Sequence, residues 1–267
     1  IGHTAAQVLA SGVQNTIVGN NAGQHMASGT DNVLVGYQAG RGNSTGAATF
    51  FKNTVIGARS GLDLTTGSTN VLMGTGVGSN LTSGSRNIII GSELEGGSQS
   101  TAAGAKLTTG SDNFIFGVQT AANLTVGQRN IIMGNDSAGA LNLTSDTIII
   151  GHESGSNISG GSGADGENII IGNYAGQLIT SGRALIIGHE AGQNATGDDI
   201  CIIGNQAGRS VAGSRNTLFG NYVAGISSNP NVSPMLGEDN VLIGTYSGYQ
   251  LQTGNRNIVL GLSLIHI

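Results

Sequence analysis

The sequence predicts an all-β fold: a repeat β-solenoid (a β-roll) of about 15 coils with a 16–17 residue period. Three observations predict it. A glycine-centred element recurs along the whole chain, three residues that are apolar in all but three copies, where the first is Thr, precede each key glycine, and the composition is neither globular nor disordered. Of 267 residues, 47 are Gly and only 9% are charged, yet 38% are hydrophobic. Ordinary domains carry roughly 7% Gly and about 25% charged residues. A solvated disordered tract would lack the apolar content, and the glycines lack the three-residue period of collagen.

The repeat is read first, because missing it would misassign the fold. Gly19 follows Asn15-Thr-Ile-Val. The same element ends at Gly36, Gly57, Gly74, Gly91, Gly117, Gly134, Gly151, Gly172, Gly188, Gly204, Gly220, Gly244 and Gly261, with Gly2 as a truncated first copy. Spacings are 16 or 17 residues except for four of 21, 26, 21 and 24. Triplets between Gly-rich turns are too short for helix, and their β-branched residues favour strand. A second half such as Leu64-Thr-Thr-Gly67 suggests a second short strand in each coil. One coil cannot bury its own apolar face, but a stack can.

The columns of this stack carry the detail. The residue two before the key glycine is Ile, Leu or Val in all fourteen full copies, and the residue one before is always apolar. Successive strand residues face opposite sides, so both faces are apolar, as in a strand covered on both sides. A thin solenoid fills only one face. The other implies a second copy, hence a homo-oligomer.

Four before the glycine stands an asparagine column: Asn15, Asn32, Asn53, Asn70, Asn87, Asn113, Asn130, Asn168, Asn216, Asn240 and Asn257. Identical stacked amides can hydrogen-bond from coil to coil. Five before it stands a charge column: Asp31, Lys52, Thr69, Arg86, Asp112, Arg129, Asp146, Glu167, Arg183, Asp199, Arg215, Asp239 and Arg256. It holds 12 of the 25 charges, and signs mostly alternate, so the expected use is register rather than binding of a polyelectrolyte.

The turns Gly36-Tyr-Gln-Ala-Gly40, Gly172-Asn-Tyr-Ala-Gly176 and Gly204-Asn-Gln-Ala-Gly208, joined by Thr-Gly-Ser-x-Asn segments, resemble the head repeats of trimeric autotransporter adhesins. They are similar also to the phage tail fibre repeats that precede an endosialidase-type chaperone domain. The resemblance spans nearly the whole chain. It implies a parallel homotrimer of β-rolls, outside the cell or on a virion appendage, with attachment to a cell-surface glycan or protein receptor as its role. No stalk, anchor or chaperone segment accompanies the repeats. The start at Ile1, mid-repeat, reads as a fragment. Residues 1–261 read as one solenoid, and 262–267 as a non-repeat tail of artefactual origin.

The net charge of −5 and the lack of a basic patch disfavour nucleic acid, and no apolar run approaches 18 residues, so no membrane insertion of this segment is expected. His152-Glu153 and His189-Glu190 lie two coils apart, about 10 Å at the strand spacing, too far for shared ligation of one zinc. Gly160-Gly-Ser-Gly-Ala-Asp165 starts like a calcium-binding repeat but occurs once. Cys201 reads as a small buried hydrophobe. No cofactor, metal site or catalytic set is expected, and the chain does not read as an enzyme; a polysaccharide-degrading solenoid would need clustered acids outside the alternating column. The alternative function is a monomeric ice- or glycan-binding β-solenoid, for which the threonine row (Ala27, Thr65, Thr82, Thr125, Asn142, Ser159, Thr180) reads as interrupted. The four longer coils would extrude loops. Phe50, Phe51 and Lys52 in the first, and Pro230 and Pro234 in the last, are candidate receptor contacts.

Overall fold

In the computed structural model the key glycines draw successive coils together until main chain lies against main chain. The structure describes residues 1–43, 48–93, 99–158, 166–180, 182–224 and 234–262. Gly188 has φ +138°, a conformation open only to glycine, and a Cβ there would lie 2.2 Å from the carbonyl oxygen of Gly204 in the next coil. The apolar triplet before each such glycine becomes a short strand.

Contacts group into two units, Ile1–Asp136 with Asn142–Thr144, and Ser137–Leu141 with Ser145–Ile267. The sequence predicts one solenoid over 1–261. A stack in which each coil touches only its neighbours has no global core to force a single unit. Each unit is an all-β parallel solenoid. Among the described residues, the first holds seven strands in one parallel run: β2 (Thr16–Val18), β4 (Val33–Val35), β6 (Thr54–Ile56), β7 (Val71–Met73), β8 (Ile88–Ser92), β9 (Phe114–Val118) and β10 (Ile131–Met133). The second holds β11 (Ile148–Ile150), β12 (Ile169–Ile171), β13 (Leu185–Ile187), β14 (Cys201–Ile203), β15 (Thr217–Phe219), β16 (Val241–Ile243) and β17 (Ile258–Leu260), again all parallel. Register is strict: Ile170 pairs with Ile186, and Ile186 with Ile202.

Among the described residues, the expected second strand forms as β1 (Ser11–Val13), β3 (Met26–Thr30) and β5 (Ala48–Thr49), a three-stranded sheet, and otherwise as the single parallel bridge between Val211 and Met235. In later described coils this half still hydrogen-bonds to its neighbour, as from the Thr65 N–H to the Thr82 carbonyl (2.8 Å). Its glycines also lie close against the next coil; a Cβ on Gly84 would lie 2.1 Å from the Gly110 carbonyl.

The interior is narrow. The middle residue of each strand points inward, and Leu34, Leu72, Ile115, Ile170 and Ile202 are fully buried. Facing them is a second buried column that includes Met26, Leu64, Leu81, Leu124, Ile158 and Ile179. Each fully buried Leu or Ile contributes about 1.5–3 kcal/mol of apolar transfer.

The asparagine column is the polar member of this interior. The Asn70 Nδ2 donates to Asn53 Oδ1 (3.0 Å) and to the Gly84 carbonyl (2.9 Å), and the Asn70 main-chain N–H donates to the same Oδ1 (2.9 Å). That pattern runs unbroken from Asn15 to Asn130 in the first unit. In the second unit Asn216, Asn240 and Asn257 keep it, while Thr147, Ala184 and Ile200 interrupt it. Asn168 there accepts from the Ala184 N–H (2.9 Å), but its buried Nδ2 finds no hydrogen-bond partner. Buried polar groups cost most when left unmade. We therefore expect Asn70→Ala to lower the unfolding free energy by about 1–3 kcal/mol in urea titrations, because it removes the acceptor of the Asn87 main-chain N–H and Nδ2 and the donor to the Gly84 carbonyl. A loss below about 0.5 kcal/mol would make the ladder incidental.

Candidate functional site: the outer strand face and its flanking columns

Because the middle residue of each triplet faces inward, its two neighbours face out. That outer face carries two columns of large apolar side chains, and they are bare in the single chain. In the first unit Val18, Met73, Ile88, Phe116 and Ile131 are exposed; in the second Ile169, Phe219, Ile243, Ile258 and Leu260 are. Phe116 is 47% and Phe219 54% exposed. Cys201 belongs to this outer face rather than to the core, a correction to its reading as a buried hydrophobe. It is half-buried, and that burial pushes its thiol above the ordinary range. Ile200 beside it takes the inward place.

The charge column borders the outer face at the strand entrance. Pairs of this column close between neighbouring coils. Arg86 donates to both carboxylate oxygens of Asp112 (2.6 and 2.7 Å), and Arg183 to both of Asp199 (2.5 and 3.1 Å). Arg215 grips Asp239 (2.6 and 3.3 Å) and also Glu238 (2.7 Å). Asp31 and Lys52, adjacent in the column, form no ion pair. Every described residue of the column has a left-handed backbone, with φ between 55° and 69° from Asp31 to Arg256. Gly or Asn would adopt that conformation more readily, so these charged side chains are kept against a backbone cost.

Beyond the key glycine lies a third column that the sequence reading did not single out. Its second residue is also left-handed: Gln38, Arg59, Gln119, Asp136, Glu153, Tyr174, Glu190, Gln206, Tyr222 and Tyr246. The Tyr174 ring stands edge-on between His152 (5.4 Å) and His189 (6.1 Å), and Tyr222 stacks on Tyr246 (5.0 Å). Nearby, an amide relay climbs the turns of the second unit: Gln177 donates to Glu153 (3.1 Å), Gln193 to Gln177 (2.7 Å), and Arg209 to Gln193 (2.7 Å), with Glu190 3.4 Å from Arg209. Its signal in the sequence is the Gln or Arg five residues after successive key glycines. Among the described residues no group of three His, Cys, Asp or Glu could hold a metal ion.

The threonine row is more regular than the sequence reading gives it. Thr108 stands between Thr82 and Thr125, so Thr65, Thr82, Thr108 and Thr125 follow one another, each hydroxyl donating to the next coil's carbonyl (2.9–3.1 Å). The insertion after Gly91 hid Thr108 from a spacing count. Of the candidate receptor contacts, Phe50 is fully buried and offers no surface, a second correction. Its carbonyl takes the Asn32 amide (2.9 Å), the place Gly67 holds for Asn53 in the next coil. Phe51 is 41% exposed, and Lys52 and Pro234 are exposed; Pro230 and Gly160–Asp165 lie outside the described residues.

No helix among the described residues is long and apolar enough to cross a membrane. No protein-family model, curated protein or solved structure matches the chain.

The hydrogen bond from Arg86, with the fields of Arg86 and Arg129, holds the Asp112 carboxyl below its ordinary 3.8. Asp199 and Asp239 are depressed in the same way by Arg183 and Arg215. A depressed carboxylate stabilises the fold above its ordinary range and loses that contribution as pH falls through the lowered value. Thermal melts between about pH 4 and about pH 2 should therefore fall more steeply for the natural chain than for the triple variant Asp112→Asn, Asp199→Asn, Asp239→Asn. Parallel curves would remove the ladder from the stability of the coil; each pair is exposed, so the expected difference is modest.

Proposed function

We propose that this chain is a shaft or head segment of an extracellular attachment fibre, a surface adhesin or tail fibre, that works as a parallel homotrimer and carries no catalysis. The observation that carries the reading is the outer strand face. Its two columns are mostly Val, Ile, Leu, Met and Phe, partly exposed along each unit and more openly at residues such as Phe116 and Phe219. Monomeric soluble proteins rarely leave contiguous apolar patches beyond a few hundred Å², so these columns need cover, and a copy of the same chain has the matching periodicity. The number three and the attachment role rest on the resemblance to adhesin-head and tail-fibre repeats. A receptor, glycan or protein, would then be met by loops or turns outside the covered face, with Phe51 and Pro234 as exposed candidates.

The threonine row favours a second reading, a monomer that meets ice or glycan with its hydroxyl face. Against it, each of the four hydroxyls already donates to a backbone carbonyl, and the reading leaves the outer apolar columns bare.

Cys201, the single cysteine, reports on the choice. Half-exposed in the free chain, it would be shielded beneath a neighbouring copy. A bulky maleimide should label native protein at least tenfold more slowly than Phe219→Asp, Ile187→Asp protein, whose outer face would no longer associate. Equal and rapid labelling of both would count against a covered face and for the monomer.

A further inference from the structure

The two polar columns that flank the outer face stand at opposite ends of each strand. The charge column lies at the entrance and the left-handed column after the key glycine lies at the exit. They are seven residues apart within each coil, at most about 23 Å at about 3.3 Å per residue. No side chain reaches across that distance. Yet residues of one coil match across it: Arg129 with Asp136, Arg183 with Glu190, and Arg215 with Tyr222. Nothing within one chain uses the match. Arg183 is engaged axially with Asp199, and Glu190 with Arg209.

We infer that these columns are the two halves of an interchain seam: the charge column of one copy seats against the post-glycine column of the next copy. The inference rests on the homo-oligomer proposed above and goes further, naming the contact. Closed cyclic symmetry has no translation along its axis. Copies related by it therefore meet at the same coil level. With the outer faces turned inward, every strand runs in the same sense around the axis. The strand exit of one copy then adjoins the strand entrance of its neighbour, so the contact is between two different columns.

The level-by-level match is the match that this arrangement requires. Arg183 meets the neighbour's Glu190 as an ion pair, and Arg215 meets the neighbour's Tyr222 as a cation over a ring. Both columns keep non-glycine residues in left-handed backbone, which the seam explains for the post-glycine column. Two levels have like charges, Lys52 with Arg59 and Asp146 with Glu153; the Arg59 guanidinium is drawn over the Tyr37 ring of the adjoining coil, 6.0 Å from its centroid, and the Glu153 carboxylate accepts from Gln177 (3.1 Å). Complementary charge at a rim chiefly sets register and partner choice, which suits a seam between identical copies.

Cysteine bridging separates this contact from its alternatives. In a Cys201→Ser background, Arg183→Cys, Glu190→Cys protein is treated with a short bis-maleimide and resolved on a denaturing gel, with light scattering on the untreated sample. Arg129→Cys, Asp136→Cys protein serves as a second, independent pair should the first fail to fold. The expected result is covalent bridging up to the full oligomer for each double variant and almost none for either single variant. An oligomeric mass with no bridging in the doubles, or with single variants bridging as well as doubles, overturns the seam alone. A monomeric mass overturns the oligomer and the seam together.

Discussion

The close approach of glycine backbones between coils is the constraint on which the rest depends. A column of glycines at φ near +140° lets the main chain of each coil lie against the next, with no room for a side chain between them. Once that spacing is set, every other residue meets its own equivalent one coil away. The asparagine ladder, the amide relay, the threonine row and the charge column are four consequences of that one geometric fact. None could form in a fold whose equivalent residues fall at unequal distances.

This geometry also explains why the molecule is apolar on the outside. The interior is only one side chain deep from each wall, so a triplet strand contributes a single buried residue per coil. The flanking two cannot turn inward without a slip that would exchange the faces. Their size, up to Phe116 and Phe219, exceeds what an aqueous face needs. The physical reading is a surface completed by another chain, with polar columns along its two borders to fix how that chain sits.

Much of this was legible in the amino-acid sequence, because a repeat displays its own alignment. The key glycines, the inward column and the asparagine ladder can be read by position. The face that any one apolar residue takes could not, since all three residues of most triplets are apolar and alternation alone does not say which parity is inside. Cys201 was misassigned for that reason. Phe50 looked like a surface aromatic because its coil carries an insertion, yet it occupies a core position normally held by glycine. The left-handed backbone of the charge column has little sequence signature, since Arg, Lys and Glu share it with Asp, and of these only Asp is favoured in that conformation. The breaks in the ladder at Thr147, Ala184 and Ile200 are visible, but the buried and unpartnered Asn168 Nδ2, which has Thr147 instead of an asparagine in the preceding coil, required the packing.

The central claim is that the outer strand face is an interface between copies of this chain. Sedimentation equilibrium of the purified chain over a hundredfold concentration range tests it most directly. The account predicts a mass three times 26.7 kDa that stays constant on dilution. A single species at 26.7 kDa throughout, with the apolar columns open to water, would contradict it.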